Sequence, residues 1–178
     1  NLLTLNSGLV IPTNTNNFSK TNTGTLFLTA APTTTWNGNV TVSQGALRIS
    51  HVSALGSTTG TTTIANVGAA LELAGVNVTG ETLIFSPGNN NTSSGINSGG
   101  ALRAVSGTNT WGGAINFSGE SGTDNQYRSA VIGVDSGATL NITGVITGRV
   151  GVAGSGTGRG AWIGLTGAGT GTISTALK

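Results

Sequence analysis

Few residues in this chain could do chemistry. The acids are Glu72, Glu81, Glu120, Asp124 and Asp135, and His51 is the single histidine. Calcium binding or acid–base work on a sugar polymer needs carboxylates gathered in one place. Only Glu120 and Asp124 are close in sequence, within a polar 120–128 loop that ends Gln126-Tyr127-Arg128. That loop is the candidate cation or sugar site, set against the plainer reading of a solvated corner. His51 has no second histidine and no cysteine with which to complete a metal site or a dyad, and it reads as a corner residue. No catalytic, cofactor or metal site is expected, and the chain does not read as an enzyme.

Aromatic side chains give a second kind of candidate. Trp36 and Trp111 each follow a threonine, in Thr35-Trp36-Asn37-Gly38 and Thr110-Trp111-Gly112-Gly113. On an outer face such rings can stack on sugars, whereas as plugs at a chain corner each buries about 150–250 Å². Both readings are carried forward, with the plug preferred.

Positioning these groups falls to elements of unusual composition. Of 178 residues only 7% are charged and 4% aromatic, while 31 are glycine. Thr and Val favour extended backbone, and Gly and Asn tolerate the positive φ of tight corners, so short strands and turns are expected in place of helices. The net charge of +2 is too small for a phosphate-recruiting surface, which excludes nucleic acid as a partner class. No cysteine supplies a disulfide framework. No apolar run reaches the roughly 20 residues of a membrane span. The absence of Met suggests that these residues are a segment of a larger protein.

Alternating apolar positions predict strands at 26–28, 40–42, 47–49, 71–73, 83–85, 114–117, 131–134 and 140–142. Several share a pattern of a small residue, Leu, any residue and an apolar one: Gly45-Ala46-Leu47-Arg48-Ile49, Ala69-Ala70-Leu71-Glu72-Leu73 and Gly100-Ala101-Leu102-Arg103-Ala104. The first units recur every 20 to 25 residues or so, about one turn of a coil built from short strands. Alternation turns Leu47, Ile49, Leu71 and Leu73 inward and Arg48, Glu72 and Arg103 outward, where they read as solvated charges. The expected fold is all-β, a right-handed parallel β-helix (solenoid) with Gly/Asn/Thr-rich corners. It forms one domain over 1–178: an N-terminal strand segment at 1–17, repeat coils at 18–147 and Gly-rich terminal coils at 148–178. Loops are expected to leave the coil at 86–100 and at 120–128.

The run from Lys20-Thr21-Asn22-Thr23-Gly24-Thr25-Leu26 through Trp36-Asn37-Gly38-Asn39-Val40-Thr41-Val42 to Gly45-Ala46-Leu47 and Ala54-Leu55-Gly56-Ser57 resembles the autotransporter-associated β-strand repeat. A second copy appears around Gly100-Ala101-Leu102 and Thr110-Trp111. A third begins at Thr166-Gly167-Ala168-Gly169-Thr170, with Gly171 where the family has Leu. The resemblance implies a β-helix in exported bacterial surface proteins, with extracellular or cell-surface location, a structural or adhesive role and no catalytic residues.

Coils with open ends present unpaired backbone that templates pairing with another strand. Leu3 and Leu5 in the first strand-like segment, and Ile173 in the last, are the candidate interface residues. The partner is then a continuation of the same β-helix or a second copy stacked head to tail into a filament. The competing class is a module that binds or cleaves a surface polysaccharide through Trp36, Trp111 and the 120–128 loop.

Overall fold

A computed structural model describes residues 1–11, 16–34, 36–88, 91–117, 128–148 and 162–175. Its strands lie in three sheets, here the long, second and third, and every described pairing is parallel. The chain enters through β1 (Leu2–Leu5) in the long sheet. It then alternates between the second and long sheets: β2 (Phe18–Lys20), β3 (Thr25–Leu28), β4 (Val40–Val42), β5 (Ala46–Ile49), β6 (Thr61–Ile64) and β7 (Ala70–Ala74).

From there each circuit also visits the third sheet. β8 (Asn77–Val78) lies in the third sheet, β9 (Thr82–Phe85) in the second, and β10 (Asn91–Ser93) and β11 (Leu102–Ser106) in the long one. The next circuit is β12 (Thr108–Trp111), β13 (Ile115–Phe117) and β14 (Arg128–Val134). After it come β15 (Thr139–Ile142), β16 (Ile146–Thr147), β17 (Ile163–Gly167) and β18 (Thr170–Ile173). Parallel pairing with this cyclic order makes the chain an all-β parallel β-helix.

Register places one residue of each coil directly over its counterpart in the next. In the long sheet one inward column runs Leu3, Leu26, Leu47, Leu71, Leu102, Ile132, Leu165, in steps of 23, 21, 24, 31, 30 and 33 residues. The coil lengthens at Leu71, where the third sheet begins. A neighbouring inward column runs Leu5, Leu28, Ile49, Leu73, Ala104, Val134, Gly167. The middle members of both columns are buried, each buried Leu or Ile contributing about 1.5–3 kcal/mol relative to exposure. The sequence lacks helical periodicity because the inward positions recur only in pairs, separated by corners.

Corners are set by backbone that only certain residues accept. Gly45 has φ 66°, and a Cβ there would strike the Gly24 carbonyl of the coil below. The 86–100 stretch, expected as a loop, contains β10 and a 3-10 turn (Ile96–Ser98). β10 and β11 both pair with β14, so this excursion interrupts one rung of the long sheet and then rejoins it.

Candidate functional site

The outer face of the long sheet carries a ladder of charges on three successive coils, Arg48, Glu72 and Arg103, with Asp135 beside the next rung. In-register pairing stacks Arg48 on Glu72 and Glu72 on Arg103. Arg48 Nη2 lies 2.7 Å from Glu72 Oε2, and Arg48 Nε donates to the same oxygen at 2.8 Å. Arg103 Nη1 approaches Glu72 Oε1 at 3.7 Å, and its Nε and Nη2 donate to the two oxygens of Asp135 at 2.7 and 3.0 Å. The hydrogen bonds to Asp135 raise the Arg103 pKa further above its ordinary value. Arg48 also stands over the Phe27 ring, 5.7 Å from its centroid. The sequence reading of these groups as separate solvated charges is corrected: they point outward, but Glu72 is only 3% exposed and shared by two guanidinium groups. Sequence alternation gives the face, while the vertical neighbours follow only from the coil register.

Both tryptophans lie inside the coil. Trp36 is 1% exposed, donates Nε1–H to the Asn16 carbonyl at 2.5 Å and packs edge-on against Phe18. Trp111 is 0% exposed and its Nε1 has no protein partner. Neither ring lies on the outer face, the placement that sugar stacking requires. Glu120 and Asp124, with the rest of the 120–127 stretch, lie outside the described residues. His51 accepts the Ser53 backbone N–H at Nδ1, a local turn contact.

Two of the buried polar side chains that escaped the sequence reading sit at corners. Lys20 occupies an inward position in register with Val42, and its Nζ donates to the carbonyls of Thr21, Asn22 and Gln44 at 2.7–3.0 Å. Burial lowers its pKa. Asn109, 0% exposed, accepts from the Gly75 and Val76 N–H groups and donates to the carbonyls of Ser106, Gly107 and Thr139. Each satisfies backbone groups that a corner would otherwise leave unpaired. A polar residue at an inward position of the strand pattern is the signal that finds both.

At the two ends of the stack the inward columns meet solvent. Leu3 is 61% and Leu165 71% exposed, although both belong to the column whose middle is buried. Leu5 is half-buried, and Ile173 is 39% exposed. The described strand β1 pairs only with β3, and β17 only with β14. Around β17 and β18 the coil opens into an apolar cavity of ≈ 390 Å³, lined by Ile132, Val134, Leu140, Ile142, Leu165 and Ile173. It exists because Gly167 and Gly171 stand at inward positions that the preceding coil fills with Val134 and Leu140. Leu3, Leu5 and Ile173 thus lie on exposed apolar rungs, at opposite ends of the stack.

Among the described residues, no group of three or more His, Cys, Asp or Glu side chains could hold a metal ion, and no helix is long and apolar enough to cross a membrane. The fold and its stacked columns define the class, an all-β parallel β-helix. Comparison of the chain with family models, with curated proteins and with solved structures gives no match.

Proposed function

We propose that this chain is a structural or adhesive scaffold of an exported bacterial surface protein, and that its exposed end rungs join it to further β-helix. The observation that carries this reading is the Leu3-to-Leu165 column. It is apolar throughout and buried in its middle, yet ends on solvent-exposed leucines at both limits of the stack. Apolar rungs with unpaired strand edges are surfaces that another coil covers at little cost, because backbone bonds and apolar burial are gained together. The extracellular location rests on the resemblance to autotransporter-associated repeats. In the filament form of the proposal the partner is a second copy, stacked head to tail in a contact that does not close.

Electron microscopy and sedimentation of native material test it. Elongated assemblies support the filament form. A longer native polypeptide whose own coils cover Leu3 and Leu165 supports the scaffold without the filament. A compact monomer, with β1 and β17 already protected from hydrogen exchange, overturns both. The polysaccharide reading has lost its outer-face tryptophans and rests on the 120–128 loop alone.

A further inference from the structure

The apolar interior contains one polar pair that breaks two columns at once. Inward positions of the second sheet run Phe18, Val40, Thr62, Leu83, Ile115 and Ile146, with Thr62 the single hydroxyl among apolar side chains. Two residues earlier, the same registers align Gly38, Gly60, Glu81, Gly113 and Gly144. In this corner column a Cβ at Gly60 would crowd the Gly38 carbonyl, one at Gly113 the Glu81 carbonyl, and one at Gly144 the Gly113 carbonyl. Glu81 thus stands where the coils on either side have glycine.

The two exceptions meet each other. Thr62 Oγ1 donates to Glu81 Oε1 at 2.7 Å, from one coil to the next. Thr62 is 0% exposed and Glu81 4%. No described charge opposes the carboxylate: Arg48, Glu72, Arg103 and Asp135 pair on the outer face of the long sheet, Lys20 is spent on three carbonyls, and His51 on its own turn. A carboxylate buried without a counter-ion favours its neutral form.

We propose that Thr62 and Glu81 form a pH-sensitive latch between successive coils, the coil contact being firmest while the buried carboxyl is neutral and weakened when it ionises, because the cost of burying the charge outweighs the Thr62 bond that favours it. The direction follows from burial, which pushes the Glu81 pKa up to about 7 while the Thr62 hydrogen bond pulls it partly back. In the unfolded chain the same group titrates at its ordinary value of 4.5. Between these limits the folded state holds a proton that the unfolded state has released, so stability falls as pH rises through that window and levels off above it. The Glu81 contribution to stability is greatest in acid, opposite to that of a carboxylate held by a salt bridge.

The test is urea unfolding of the wild type and of Glu81→Gln, from pH 4.5 to 8. The wild-type midpoint is expected to fall up to about pH 7. E81Q should match the wild type at the acid end, exceed it at neutral pH and lack that fall. Thr62→Val removes the bond that favours the charged form, so its fall should extend to higher pH. The paired change T62V/E81G, which restores the residue types of neighbouring coils, should also be free of the Glu81 step. If E81Q kept the wild-type profile, the latch would be refuted. Should a variant fail to fold, infrared spectroscopy of the wild type decides: a buried protonated carboxyl band at pH 6, lost by pH 8, supports the proposal, and its absence at pH 6 overturns it.

Discussion

Arg48 and Glu72 stand one above the other on adjacent coils, Nη2 to Oε2 at 2.7 Å, with the Glu72 side chain only 4% exposed. The acid is sequestered while the arginine, at 28%, stays in touch with water. Removing Glu72 therefore strands the Arg48 guanidinium and takes from Arg103 the more distant of its two acidic neighbours. Glu72→Leu should cost about 1–3 kcal/mol in chemical unfolding, below the usual figure for a fully buried pair because Arg48 and Arg103 can resolvate. The double variant R48M/E72L should recover part of that loss, since Arg48 no longer faces an apolar neighbour and Arg103 keeps Asp135. A double variant less stable than E72L would contradict the ladder.

The two indoles differ in one atom's circumstances. Trp36 Nε1 has an acceptor in the Asn16 carbonyl, and Trp111 Nε1 has none. Phenylalanine at either position loses similar volume, but only W36F abandons a bonded carbonyl. W36F should be the more destabilised of the two by roughly 1 kcal/mol, read from paired denaturation curves. Equal losses would mean that the Asn16 bond adds nothing.

Asn109 is the corner residue whose amide must both accept and donate. Asn109→Asp turns the group that faces the carbonyls of Ser106, Gly107 and Thr139 into an acceptor. The cost should exceed that of N109A and reach about 3 kcal/mol or more once the new carboxylate ionises. Thermal melts at pH 4 and pH 7 check this, with the larger deficit expected at pH 7.

Position along a column decides what the same leucine is worth. Leu71→Ala in the buried middle should cost about 2–5 kcal/mol. Leu165→Ala, on a rung 71% exposed, should stay within about 0.5 kcal/mol in the dispersed chain. Under the proposed end-to-end joining, Leu165→Lys should abolish assembly while leaving the circular dichroism unchanged. Assembly that tolerates this lysine would place the joint elsewhere.

Strands with branched or aliphatic pairs were legible in the sequence. Val40–Val42 is found as expected, and Ala46–Ile49, Thr82–Phe85 and Thr139–Ile142 each start one residue earlier than predicted. Strands made of threonine and asparagine were not, among them Thr61–Ile64, Asn91–Ser93 and Thr108–Trp111. Their buried positions include polar side chains, Thr62, Ser93 and Asn109, so hydropathy carries little signal, and the ladder partners above and below hold them extended. The charge ladder was half legible: alternation gave its outward direction, but Glu72 meets Arg48 and Arg103 only through steps of 24 and 31 residues, and unequal steps cannot be read from one repeat.

The lengthening of the coil at Leu71 makes the molecule a tapered rod with a narrow and a wide end. A narrow face set on a wide one matches the long and second sheets but leaves the outer edge of β18 uncovered, because the first described coils carry no third-sheet strand. A filament of identical subunits would therefore have polarity and a notch at each joint. With seven rungs in the Leu3-to-Leu165 column, the notches would recur roughly every 33 Å along the axis at ordinary strand spacing. A continuous polypeptide that carried on the wide coil would have no such axial repeat.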